Sequence, residues 1–255
     1  MVEYPLLLGA LAIPYEPGKR TKRDEIMKNK VTAEGLFEAG AHFGHTAKRW
    51  NPKMGKYIWG KKANTHIFDL EKTVACLESA CEALTEAVKA GKRMVFVGSK
   101  RQVRDIVKSE AKRVDVAFVT ERWLGGTITN WRQIKTRIDR LNDLKKRRDG
   151  GDLKKYTKKE QLLFDREILR LERFVGGLAK LSSYPEVLIV VDVHKERAAI
   201  REAKLRGVTI IGIVDSNSSP DNIDYVIPMN DDSVNGLEMV MKALFEAVEL
   251  GKEKK

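Results

Sequence analysis

Apolar positions along this chain switch between two periods. Val74, Leu77, Cys81, Leu84 and Val88 recur at spacings of three and four, which predicts a helix over 71–90 ended by Gly91. Short runs that are apolar at nearly every position follow at 94–97, 116–119, 187–191, 208–214 and 225–227. Helical segments are predicted at 100–113, at 194–206 up to Gly207, and at 233–250. Buried strands alternating with helices imply βαβ units, hence an α/β chain with a parallel sheet covered by helices on both faces. Upstream, a short helix is expected at 32–39, a polar, Gly-rich loop or hairpin at 42–65, and a strand at 65–70.

The alternation breaks once. Trp131, Ile134, Ile138 and Leu141 form one narrow stripe; Phe164, Ile168, Leu171, Val175 and Leu178 form another after the polar stretch 147–156. Two such helices make an inserted antiparallel coiled-coil hairpin, expected to project as a charged arm. The organisation is therefore an N-terminal extension at 1–30, mostly irregular, a sheet domain from 31–129 and 182–255, and the hairpin at 130–181.

Charge changes the picture more than composition does. The formal net charge of +12 is not spread evenly. Residues 42–62 hold six Lys/Arg and no acid, interleaved with Phe43, Trp50, Tyr57 and Trp59. Residues 92–113 hold eight basic and two acidic side chains, and residues 132–174 fifteen and eight, whereas 214–255 runs acidic. Segregated Lys/Arg with aromatic neighbours suits a folded surface for a polyanion. No apolar run approaches the ~18–20 residues of a membrane span. Cys76 and Cys81 form no CxxC pair, which fits a reducing compartment. The apolar run at 5–13 lacks a basic n-region and reads as part of an ordinary cytoplasmic extension.

Candidate chemistry is sparse. Gly98-Ser99-Lys100 joins a strand to a helix, where backbone N–H groups favour a phosphate, and Lys100, Arg101 and Arg104 add cations there. Neither a P-loop nor a GxGxxG spacing is present. The run 121–130 follows the next strand; its glycines and Thr127, Thr129 and Asn130 suit either ligand contact or helix capping. Asp192 and Asp215 end strands; such carboxylates can hold Mg²⁺, but with no nucleophile beside them capping and turn formation is the better reading. His42 and His45 are three apart, with too few companions for a zinc site.

Several motifs in one order carry a resemblance: Glu38-Ala-Gly-Ala-His-Phe-Gly-His45, Arg49-Trp-Asn-Pro-Lys-Met54, Tyr57-Ile-Trp-Gly60, His66-Ile-Phe-Asp-Leu-Glu-Lys-Thr73, Phe96-Val-Gly-Ser-Lys100, Arg122-Trp-Leu-Gly-Gly-Thr-Ile-Thr-Asn130, Val191-Asp192, His194-Lys-Glu196 and Ile213-Val-Asp-Ser-Asn217. Over about residues 32–250 the chain resembles the family of ribosomal protein two of the small subunit, in its bacterial and organellar form. That resemblance implies a Rossmann-like or flavodoxin-like domain carrying a coiled-coil hairpin, and a structural protein rather than an enzyme. It further implies contact with small-subunit ribosomal RNA between head and body, recruitment of ribosomal protein one, and a ribosome-bound place in a bacterial cytoplasm rather than an organelle. No cofactor is expected. The segment 1–30 lies upstream of where a relative would begin.

The expected RNA-binding set is His45, Lys48, Arg49, Trp50, Asn51, Lys53, Lys56, Lys61, Lys62, Lys100, Arg101, Arg104, Thr127 and Asn130, with the hairpin cations as a third surface. Phosphate contacts of this kind position a protein without reading sequence. The alternative is a nucleotide-binding enzyme on a Rossmann-like sheet, with its ligand near Gly98, Gly125 and Asp215.

Overall fold

A computed structural model describes residues 31–253. The expected extension at 1–30 lies outside the described residues. The chain runs through α1 (Ala33–Glu38), β1 (Phe43–Thr46), β2 (Ile58–Lys62), β3 (Thr65–Phe68), α2 (Leu70–Lys89), β4 (Met94–Val97), α3 (Arg104–Arg113) and β5 (Ala117–Val119). It continues with α4 (Trp131–Asp149), α5 (Lys158–Val175), β6 (Val187–Val191), α6 (Arg197–Leu205), β7 (Thr209–Val214), β8 (Tyr225–Pro228) and α7 (Val234–Glu253).

The main sheet has the order β5-β4-β6-β7-β8, with every neighbouring pair parallel. Counted within the sheet this is 2-1-3-4-5, the flavodoxin-like order, whose reversal point lies between β4 and β6. Alternate strand residues feed two separate cores. Met94, Phe96, Val187, Ile189 and Val191 face a layer built from α2, α3 and α7. Val95, Val97, Leu188 and Val190 face the other layer. Both faces are thus covered, which explains why these strands are apolar at every position. On the first face Phe96 stacks on Phe245 with ring centroids 4.1 Å apart. There α7 lies close on α2, with Thr85 Oγ1 donating to the Ala247 carbonyl at 3.0 Å.

The two helices of the insert join the second core. Ile134, Ile138, Leu141 and Leu144 of α4 and Ile168 and Val175 of α5 belong to the same apolar cluster as Val95 and Val97. α4 and α5 pack against each other, and the 3₁₀ turn Gly176–Leu178 that follows α5 packs against β5. Arg140 binds Glu167 through Nε and Nη2 at 3.1 and 3.2 Å, and Arg147 lies over Phe164, so the pair is stitched along its length. A capping box between Thr157 and Glu160 starts α5.

The stretch 42–65, expected as a loop or hairpin, supplies β1 and β2, which join β3, inside the strand expected at 65–70, in an antiparallel sheet of order β1-β3-β2, with a 3₁₀ turn at Pro52–Tyr57 between β1 and β2. A second difference lies in α3, which begins at Arg104 rather than at residue 100. Lys100 is drawn instead toward Asp231 and Asp232, which keeps the intervening residues in a turn.

Candidate nucleic-acid interface

The small sheet is pinned over the carboxyl ends of β7 and β8, and one buried aspartate makes the pin. Asp215 follows β7 and is fully buried. Its carboxylate accepts from His45 Nδ1 at 3.1 Å, from Ser216 Oγ at 3.1 Å and from the Asp231 N–H at 3.2 Å. Burial alone would raise its pKa; the bond from His45 leads the donors that hold it below the usual carboxylate value instead. The same bond raises the pKa of His45 above its ordinary 6.5, against the effect of burial.

Ser216 completes the attachment. Its Oγ accepts from the His45 N–H at 2.7 Å, and its carbonyl accepts from the Asn51 N–H at 2.7 Å. A Cβ on Gly44 would lie 2.7 Å from that hydroxyl oxygen, so only glycine lets β1 approach so closely. Lys53 extends the seam by pairing with Asp221. Asn51 caps the 3₁₀ turn, its side-chain oxygen accepting from the Lys53 N–H at 3.0 Å. Trp50 stacks on buried His66 at 4.5 Å. His42 is buried between Phe37 and Phe43 at 4.2 and 3.9 Å. Burial lowers the pKa of His42 and of His66, which keeps both rings neutral near pH 7.

Lys48, Arg49, Lys56, Lys61 and Lys62 are the exposed cations of this sheet. Lys48, Arg49, Lys61 and Lys62 have no ion pair or hydrogen-bond partner for their side chains among the described residues, and Lys56 makes only a contact with the Tyr57 ring at 4.8 Å. Lys48 and Arg49 edge an open cleft of about 600 Å³, walled by Gly44, His45 and Thr46 on one side and Asn230 and Asp232 on the other.

The second expected surface is built differently. Lys100 is only 15% exposed and sits 2.6 Å from Asp231 and 2.7 Å from Asp232. Burial works to lower its pKa, but the two carboxylates outweigh that and raise it. Asp231 is pushed up to about 7 by burial and by neighbouring Asp215, with Lys100 pulling the other way. Arg104 reaches Glu121 at 3.4 Å and the Ser99 carbonyl at 3.4 Å. Only Arg101 of the three is exposed without a partner among the described residues. At the reversal point between β4 and β6, buried Ser99 donates to buried Glu196, and Lys195 Nζ caps the Ser99 carbonyl at 3.0 Å. At this reversal point Glu196 and Lys195 are thus both bonded to Ser99.

Thr127 is fully buried and its hydroxyl donates to the Leu124 carbonyl at 2.6 Å, so it supports its loop from inside. Asn130 is exposed at the start of α4 and makes no side-chain capping bond. Residue typing missed two groups of consequence. Asp215 was read as a turn residue, and Glu202 was not singled out at all. The Glu202 carboxylate accepts from Trp123 Nε1 and from the N–H groups of Gly126, Ile128 and Thr129 at 2.8–3.1 Å. Nothing in the local sequence around Glu202 announces that role, because its partners lie more than seventy residues away. Comparison with known families matches residues 36–251 to a family described as Ribosomal protein S2.

Proposed function

We infer, from the premise that this chain belongs to the ribosomal protein S2 family, that its pinned antiparallel sheet is a contact surface for small-subunit ribosomal RNA. Membership makes the protein a structural constituent of the small ribosomal subunit acting in translation, in a family that is not one of enzymes. The observation that carries the RNA surface is the set of unpartnered cations Lys48, Arg49, Lys61 and Lys62 on a sheet whose backbone is fixed by Asp215 and Ser216. Rigid presentation lowers the ordering cost of binding, and counterions released from the phosphates supply the affinity. Lys56 belongs to the same surface, while His45, Trp50, Asn51 and Lys53 hold it in shape. Arg101 and Asn130 are peripheral contacts; Lys100, Arg104 and Thr127 act within the fold.

The reading includes a place between head and body of the subunit, in a bacterial cytoplasm, and recruitment of ribosomal protein one. A protein partner needs apolar surface, and the exposed rings of Phe37, Phe43 and Trp59 offer it. The bonding of Ser99 to Glu196 and of Lys195 to the Ser99 carbonyl at the reversal point speaks against the nucleotide-enzyme alternative.

The test titrates the full chain against small-subunit RNA over a range of salt. Replacing Lys48, Arg49, Lys61 and Lys62 together by Ala should reduce the slope of log affinity against log salt by about 3, with affinity down on the order of a hundredfold. The same variant should leave the small-subunit fraction of a sucrose gradient. An unchanged slope would remove the pinned sheet from the RNA interface.

A further inference from the structure

The loop 121–130, between β5 and α4, is clamped by a side chain of α6. Glu202 of α6 holds it through Trp123 Nε1 at 3.1 Å, the N–H groups of Gly126, Ile128 and Thr129 at 2.8, 3.0 and 3.1 Å, and Thr129 Oγ1 at 3.0 Å. Arg206 adds a bond to the Thr129 carbonyl at 3.2 Å. Trp123 and Ile128 are buried in the core beneath. The loop's shape is therefore set from within, by groups that no outside ligand can also use.

Its outward side is positive and uncompensated. Arg122 and Arg132 are exposed, and neither has an ion-pair or hydrogen-bond partner among the described residues. The adjacent acid, Glu121, is turned to Arg173 at 2.7 Å and Arg104 at 3.4 Å. Glu202 is wholly occupied by the loop.

Between these cations lies a glycine with no internal reason to be one. Among the described residues, a Cβ on Gly60, Gly125 or Gly207 would meet nothing within 4 Å. Gly207 is explained by its φ of +64°, and Gly60 by the register shift of β2 against β3 at that point. Gly125 is exposed, has a φ outside the left-handed region and touches nothing that a side chain would displace. Glycine in a loop adds conformational freedom to the unfolded chain and so weakens the fold. The compensating need is for bare backbone against something outside the chain.

We propose that residues 122–132, with Gly125 between Arg122 and Arg132, form a second docking platform, one that receives an RNA phosphodiester backbone at close range. The outward groups are two guanidiniums, a bare peptide and the Asn130 amide, the set that recurs at phosphate contacts; the apolar side chains Trp123 and Ile128 that a protein partner would want are turned inward. The proposal rests on the RNA-binding reading above but uses different residues, so the two can fail separately.

Full-length protein carrying Gly125→Val, and a second variant carrying Arg122→Ala with Arg132→Ala, would be titrated against small-subunit RNA, with thermal melting of each. Gly125→Val should melt like the parent and bind about tenfold more weakly; the double variant should lose about 2 from the salt slope. If Gly125→Val melts early, the double variant decides. Parent-like binding and slope in both variants, with the parent binding normally, would overturn the platform and leave the pinned sheet intact. Loss of small-subunit co-sedimentation with RNA affinity retained would assign the loop to a protein neighbour and equally overturn it. A parent chain without salt-dependent RNA affinity would instead remove the pinned-sheet reading, and this one with it.

Discussion

Residues 42–62 and 92–113 look alike as strings of basic residues, yet the fold treats their Lys and Arg unequally. Among the described residues it pairs only Lys53 of the first with an acid but four cations of the second, leaving Lys92, Arg101, Lys108 and Lys112 exposed. In the first, Lys48, Arg49, Lys61 and Lys62 stay exposed and unpartnered among the described residues. In the second, Arg93 pairs with Glu186, Lys100 with Asp231 and Asp232, Arg104 with Glu121, and Arg113 with Glu110 and Glu249. Most of those acids come from the acidic C-terminal third or from distant loops. Segregated charge along a chain can therefore mean two things: a surface offered to a polyanion, or one half of an internal ion network. Only the free cations can release counterions from RNA.

The comparison breaks most sharply at Lys100. Lys100→Ala leaves Asp231, which is only 3% exposed, beside buried Asp215 without its cation. Loss of one partner of a buried pair costs about 3–5 kcal/mol. Chemical denaturation should show a drop of that order while the RNA salt slope of the folded variant stays at the parent value; a slope that falls as it does for the pinned-sheet variant would erase the distinction between the regions.

A smaller effect concerns the pin. His45 has a raised pKa, so its stabilisation is complete below about pH 6.5 and fades as pH rises through the folded-state value. Asp231, raised from 3.8 to about 7, acts in the same sense, because the fold prefers its protonated form and is penalised as it ionises. Asp215, lowered, keeps its contribution above its unfolded value of 3.8 and loses it only as pH falls through the lower folded-state value. Lys100 faces the same cluster and, with its pKa raised by Asp231 and Asp232, stays charged through the neutral range. Stability should therefore decline from about pH 4 to 7 through Asp231 and onward above about 6.5 through His45, and His45→Gln should flatten the upper part of that decline. Melting temperatures across that range in both proteins are the measurement; an equally steep decline in His45→Gln would take His45 out of the pin.

Arg101→Ala gives the least expected change. As the exposed, unpartnered member of the Lys100–Arg101–Arg104 group, it should cost about one unit of salt slope or less and leave stability unaltered. A stability loss rivalling that of Lys100→Ala would show that the whole group is structural.

The local pattern carried the elements. Helical spacing in α2, α4 and α5, and uninterrupted apolar runs in β4, β6 and β7, follow from how far successive side chains rotate, which neighbours alone determine. The parallel, two-sided sheet was legible for the same reason: a strand with Leu188 and Ile189 adjacent has an apolar residue for each face. Three things belonged to the tertiary structure. That α4 and α5 share one core with Val95 and Val97 depends on remote segments coming together. Whether a lysine is available to RNA depends on acids 131 residues away, as Lys100 and Asp231 show. The pin and the loop clamp depend on single carboxylates, Asp215 and Glu202, whose partners come from remote segments. Periodicity is a local property and so is written in the order of residues, but electrostatic pairing is a property of space, and only folding decides which charges become neighbours.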